Sequence, residues 1–222
     1  MGFKRARNIE QKQIRQKQIL SAVSDLMDQL SYNEITLNMI ASKLEFSRAN
    51  ISHYYQSKEE IFLALFIEDG QALSENLMNE ERLKEHLTIE QFALVFSDNI
   101  KNHINFLRIG SILTTVIELN IHTDKLVTYK NLMFQQMEEI AKVLMNQYLF
   151  LNTKDKAMRV VRILYNYMAG LFPRTNLTSS NKEAITKSGN EKYYQQDFYE
   201  LLREMILITL NGFETLNSNL NK

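Results

Sequence analysis

Between Ser47 and Tyr55 the chain brings together Arg48, Asn50, Ser52, His53 and Tyr54 around an apolar pair, Ile51 and Tyr55, spaced four apart. On a helix that pair shares one face and the polar groups take the other. Donors and acceptors of these kinds can reach base edges and phosphates in a major groove, which admits a single helix. The bland alternative is a surface helical hairpin whose polar face is only solvated. Catalytic patterns are weaker. The four histidines, His53, His86, His103 and His122, never stand at i, i+4 with a glutamate between, the spacing of a helical zinc site. Glu81, Glu85 and His86 read as a solvated charge cluster, and no glycine-rich phosphate loop exists. The acid pairs Glu59-Glu60 and Glu138-Glu139 fall at caps or on helix surfaces, where solvation accounts for them without proton transfer. No catalytic residue, metal site or cofactor is expected, and the chain does not read as an enzyme.

The elements that must hold the polar face can be read from caps and periodicity. Thr36 is a good N-cap, and Leu37, Ile40, Ala41 and Leu44 then recur at helical spacing, predicting a helix of barely two turns. After Glu45 and Phe46 a second cap, Ser47, opens a helix predicted over Arg48 to Tyr55. Ser57 and Glu60 form a capping box that starts a third at Lys58. Upstream, Ile19, Leu20, Val23, Leu26, Met27 and Leu30 line one stripe of an amphipathic helix, so a compact three-helix unit can bury a small core. Ahead of that stripe, the first twenty residues hold Lys4, Arg5, Arg7, Lys12, Arg15 and Lys17 against only Glu10, a local charge of +5. A basic arm before such a module is a candidate phosphate or minor-groove contact, carried by Lys4, Arg5 and Arg7.

These residues resemble the TetR/AcrR family of bacterial one-component transcriptional regulators. The resemblance is carried by Ile19 to Leu26, by Ile35-Thr36 and Ile40-Ala41, and by Ser47-Arg48-Ala49-Asn50-Ile51 through Tyr54-Tyr55 to Ser57-Lys58-Glu59-Glu60. It covers residues 15 to 62 closely and the remainder in size and helical character. It implies DNA contacts at Ala49, Asn50, Tyr54 and Lys58, with Thr36 capping against phosphate and Asn38 able to reach a base edge. Three positions depart from the family pattern. Ser31 and Glu45 stand where glycine is usual, each costing about 1 kcal/mol if the backbone there is left-handed. Ser52 stands where a tyrosine is common, which leaves any contact of that ring to His53 or Tyr54.

Composition points to an all-α chain. With 222 residues, one proline, six glycines and 45% hydrophobic residues, it can bury a sizeable core. The expected division is a basic arm and helix-turn-helix domain over 1–57 and a larger helical domain over 58–222. The longest apolar run, Ile61 to Ile67, falls far short of the ~20 residues that span a bilayer, and the charged start lacks an apolar signal segment. The absence of cysteine excludes disulfides and thiolate sites and fits a reducing, cytoplasmic setting. Because the net charge is zero, the chain after residue 20 carries −5, so any nucleic-acid footprint must be local.

Beyond Lys58, helices are predicted over 58–82, 88–105, 107–120, 124–150, 154–172 and 193–216, the second opened by a Thr88–Gln91 capping box. Pro173 is expected to end a helix, and 174–192, rich in Ser, Thr, Asn and Lys, reads as a mobile loop. The last two helices carry wide apolar stripes, including Val161, Leu164, Met168 and Leu171 on one and Phe198, Leu202, Met205, Ile206, Thr209 and Phe213 on the other. Either they are interior helices or, as the resemblance implies, they build a homodimer interface. Large adaptable side chains mark the middle helices: Phe92, Phe96, Phe106, Leu113, Ile117, Tyr129, Met133 and Met137, with His122 as a polar neighbour. Such a stripe is commonly core; by resemblance it would hold a mostly apolar effector.

The expectation is therefore a homodimeric regulator that represses by binding a pseudo-palindromic operator and is released by a small hydrophobic molecule. A protein-binding helical adaptor with a relic helix-turn-helix is the competing reading, and a helical enzyme with an unrecognised site is a third.

Overall fold

A computed structural model describes residues 2–194 and 196–220, with the side chains of 2–9, 193 and 220 left aside. Among the described residues the chain is helical, without strands. Ten α-helices follow in order: α1 Gly2–Met27, α2 Leu37–Lys43, α3 Arg48–Ser52, α4 Lys58–Met78, α5 Ile89–Ile100, α6 Ile104–Gly110, α7 Thr123–Gln147, α8 Lys154–Thr175, α9 Ser179–Ser188 and α10 Phe198–Leu220. Between α6 and α7 a π-helical turn, Leu113–Ile117, runs into a 3-10 turn, Glu118–Asn120. No described helix is long and apolar enough to cross a membrane, and no described group of three or more His, Asp or Glu residues is placed to hold a metal.

The helices divide into two compact units: Met1–Glu68 with Ile112–Tyr129, and Asp69–Ser111 with Lys130–Lys222. In the first, the stripe of α1 supplies Ile19, Val23 and Met27, which are buried together with Ile35, Ile40, Ile51, Ile61 and Phe62. Leu113 and Ile117 of the π-helical turn are buried as well. In the second unit α10 packs on α5 and α8, and α6 on α8. Its core gathers Leu73 and Leu77, Phe92 and Phe96, Leu144 and Tyr148, Val160 and Leu164, and Leu202, Ile206 and Leu210. The buried Gln147 side chain is fully bonded. The Gln147 carboxamide donates to the Leu83 and Glu85 carbonyls and accepts from the Leu87 N–H, so the connection into α5 is held without regular structure.

Several predicted elements change. The span 88–105 is two helices, because the chain turns at Lys101–Asn102 and buries His103, whose Nδ1 lies 2.7 Å from Asp69 Oδ1. The Thr88–Gln91 capping box is present and opens α5 as expected. Residues 107–120 form the end of α6 and two tighter or wider turns rather than one helix. Pro173 sits inside the last turn of α8 and the helix continues to Thr175. Part of 174–192 is helical too: Thr178 caps Asn181 N–H and Gly189, at φ 70°, closes α9 in the left-handed conformation.

The wide stripes of α8 and α10 resolve differently from the interface expectation. Val161, Leu164, Met168, Phe198, Leu202, Ile206, Thr209 and Phe213 are all buried within this chain, Leu202 and Ile206 completely, while Leu171 and Met205 are half-buried. Side chains already covered by their own fold have no surface left to give a partner. The exposed large apolar side chains of these helices are Ile163 on α8 and Ile208 and Leu216 on α10, with the exposed glycines Gly170 and Gly212 on the same helices.

Candidate nucleic-acid interface

Two N-caps build the reading head. Thr36 Oγ1 accepts the Met39 N–H at 3.3 Å and starts α2; Ser47 Oγ accepts the Asn50 N–H at 3.2 Å and starts α3. The turn between them is made by Glu45 at φ 54°, the sole described non-glycine residue in the left-handed region, after which the Phe46 N–H reaches the Ala41 carbonyl at 2.8 Å. Glu45 therefore carries the strain of about 1 kcal/mol that a glycine would relieve, whereas Ser31 does not and instead bonds Glu34 through its amide and hydroxyl.

Ile51 is fully buried and Tyr55 nearly so, which anchors α3 from behind. Arg48, Ala49, Asn50, Ser52 and His53 are exposed, Tyr54 half-buried, and Asn38 of α2 exposed beside them. Helix α3 is shorter than expected, ending at Ser52; the Tyr54 and Tyr55 N–H groups both bond the Ile51 carbonyl, and His53 and Tyr54 lie in that turn. The Ser52 hydroxyl donates back to the Arg48 carbonyl at 3.2 Å, leaving its lone pairs outward. Ser47 and Thr36, exposed on the same side, are occupied with capping.

Lys58, implied as a DNA contact, is turned inward in this structure. Its ammonium donates to the Tyr32 carbonyl at 2.8 Å and the Ile35 carbonyl at 3.0 Å and lies 3.9 Å from the centre of the Tyr32 ring. Desolvation pulls this ammonium below the usual lysine range, with the Glu59 charge opposing. Next to it, desolvation works to raise Glu59, but bonds from the Tyr32 hydroxyl, at 2.5 Å, from its own backbone and from Ser57 hold the carboxyl below its ordinary value. Lys58 ties the loop before α2 to the start of α4 through two of its three donors.

A cleft beside His53 and Tyr54 draws on the basic start of the chain. Gln11, Lys12, Ile14, Arg15 and Gln18 of α1 and His53 and Tyr54 after α3 line a cleft of about 640 Å³ without any carboxylate. Arg15 is held in place: its guanidinium lies 5.0 Å from the Phe46 ring centre and Nη1 donates to Gln18 Oε1 at 2.9 Å. The spacing of Gln11, Arg15 and Gln18 at i, i+4 and i+7 was the available signal. Lys4, Arg5 and Arg7 fall outside the residues whose side chains the structure describes.

With this geometry in hand, comparison with known proteins is decisive for the family. Residues 19–65 match the family model described as bacterial regulatory proteins, tetR family, and residues 67–217 match that described as tetracyclin repressor-like, C-terminal domain. The chain belongs to the TetR family. It is thus a transcriptional regulator with a helix-turn-helix DNA-binding region, and α2, α3 and their caps are that motif. A solved structure from Mesorhizobium loti, described as a TetR-family transcriptional regulator, shares the fold at a TM-score of 0.51 and 11% identity, covering 92% of this chain and 97% of its own. No curated protein matches the chain.

The residues implied for an effector in this TetR-family chain are shared out between the two compact units. Leu113, Ile117, His122 and Tyr129 belong to the first unit, where Leu113 and Ile117 are buried core and the His122 side chain is 76% exposed. Phe92 and Phe96 are core of the second unit, Phe92 packing against Phe96 and, edge-on, against Tyr148. Phe106, Met133 and Met137, half-buried in the same unit, keep accessible surface.

Proposed function

We propose that this TetR-family regulator is a homodimeric repressor that reads a pseudo-palindromic operator through α3. The observation that carries the reading is the two-sidedness of the motif: Ile51 and Tyr55 bury one side while Arg48, Asn50 and His53 stand free on the other. Ala49 leaves room for close approach, and Tyr54, Ser52 and Asn38 widen the polar face. Phosphate attraction comes from the cleft beside it, where Lys12 and Arg15 face no carboxylate. Lys4, Arg5 and Arg7 add charge earlier in the chain. Counterion release at such contacts supplies affinity without sequence information, and α3 supplies the sequence.

Dimerisation is proposed through the outer faces of α8 and α10. Met205, Ile208, Gly212 and Leu216 follow one another along α10 at three- and four-residue steps, and Ile163 and Gly170 do so at seven along α8. A Cβ added at Gly170 or Gly212 would meet nothing within 4 Å, so these faces are open for a second backbone to approach.

A mostly apolar effector is proposed to bind the second unit beside Phe106, Met133 and Met137. It releases the operator only to the extent that it prefers the arrangement that does not bind DNA. A coupling of 1–3 kcal/mol would change operator affinity roughly 5- to 150-fold. The regulator then works in the cytoplasm with no cofactor and no catalysis.

Selection of bound fragments from a random duplex pool tests the reading. Enrichment of an inverted repeat, with affinity falling steeply as salt rises, is the expected result. A pool that yields no enriched sequence and no salt-dependent shift would instead favour the protein-binding adaptor.

A further inference from the structure

The cap at the start of α4 is not closed the way its sequence suggests. Ser57 Oγ accepts the Glu60 N–H at 3.2 Å, as a capping box requires. The reciprocal bond goes elsewhere: Glu60 Oε2 accepts the Gln56 N–H at 2.9 Å, one residue before the cap, where the chain leaves α3. That carboxylate is only 5% exposed. Its charge is met by Lys125, whose ammonium lies 2.6 Å from Oε1 and 2.7 Å from Oε2. Tyr55 and Tyr129 complete the surroundings. Burial, with the Glu60 charge acting the same way, raises both phenols above their ordinary range, so they stay neutral and add no negative charge against the carboxylate.

Lys125 lies 65 positions after Glu60, at the start of α7, within the same compact unit as the helix-turn-helix. A buried carboxylate held by one ammonium keeps its rotamer; without that partner it must seek water and turn outward. The Gln56 N–H then loses its acceptor. Gln56 is two residues from Tyr54 and one from Tyr55, the anchor of the recognition helix.

We propose that Lys125 is a positioning residue for operator reading: it holds Glu60 over the Gln56 amide and thereby sets the direction in which α3 and Tyr54 are presented. This rests on the proposed operator binding. The DNA-reading device then includes the start of α7, and any event that withdraws Lys125 from Glu60 loosens the recognition helix without touching a DNA contact.

The test uses the full chain and two duplexes, the fragment selected from a random pool and an unrelated one of equal length. Lys125→Met should lose about tenfold or more on the selected fragment and change within about twofold on the unrelated one. Lys125→Arg, which keeps two donors for the carboxylate, should restore selective binding. In a Glu60→Gln background the Lys125→Met change should have no further effect. Amide exchange without DNA gives an independent readout: Gln56 should lose protection in Lys125→Met while Ile61 to Phe66 keep theirs. Should the methionine variant fail to fold, Lys125→Gln, a neutral donor, carries the same comparisons and should show an intermediate loss. Parental selectivity in a folded Lys125→Met protein overturns the inference, as does an equal loss on both duplexes, which would make Lys125 a phosphate contact. A parent chain that selects no DNA overturns the operator reading itself.

Discussion

Lys58 and Asn50 stand eight positions apart in one motif and face opposite fates. Asn50 is exposed with its side chain free of the cap, since it is its backbone N–H that Ser47 takes. Lys58 is turned inward onto two carbonyls and a ring. Asn50→Ala and Tyr54→Ala should each cost about 1–3 kcal/mol of operator affinity, measured by titration against the selected duplex, while thermal melting stays unchanged. Lys58→Met should do the reverse. Removing it strands the Tyr32 and Ile35 carbonyls, so the melting temperature should fall by an amount equivalent to about 1–3 kcal/mol. The slope of log affinity against log salt should not change. A shallower slope with parental stability would return Lys58 to the DNA surface.

Among the elements, α1 is packed along one part of its length and lines a cleft along another. Ile19, Val23 and Met27 pin it into the core of the first unit. One to two turns nearer the start of the helix, Gln11, Lys12, Arg15 and Gln18 line the cleft beside His53 and Tyr54. Replacing Lys12 and Arg15 together by glutamine should weaken selected and unrelated duplexes alike. Each lost phosphate contact should make the salt slope shallower by up to about 0.9. An identical slope would mean that the cleft lies off the DNA path. Helix α3 itself is so short, Arg48 to Ser52, that its pose depends on what holds its ends. Ile51 and Tyr55 hold it from below, and Glu60 caps the exit.

At the scale of the whole molecule the proposed two-fold assembly would use the outer faces of α8 and α10, since the inner stripes are occupied. Ile208→Glu combined with Gly212→Arg places charge and bulk on exposed positions and should yield a folded monomer by sedimentation. That monomer should lose operator binding, since two recognition helices must enter successive major grooves about 34 Å apart. A folded monomer that binds the full operator as tightly as the parent would refute the dimeric mechanism. Leu202→Glu is the contrasting case: Leu202 has no exposed surface, so charge there should unfold the second unit rather than split a dimer.

Local rules were enough for the reading head. Caps at Thr36 and Ser47, the Ser57 half of the capping box, and the burial of Ile51 and Tyr55 follow from hydrogen-bonding and periodicity that act within a few residues, and they appear as expected. The all-helical class follows likewise from composition and spacing. Partnership over long separations was beyond the reach of such rules. Nothing near Glu60 in the chain announces Lys125, and nothing in the stripe of α10 says whether α5 and α8 or a second copy will cover it. The direction of the Lys58 ammonium was equally undetermined, because a flexible four-carbon stem goes where carbonyls and a ring happen to converge. Periodicity states that a face must be buried; only packing decides against what.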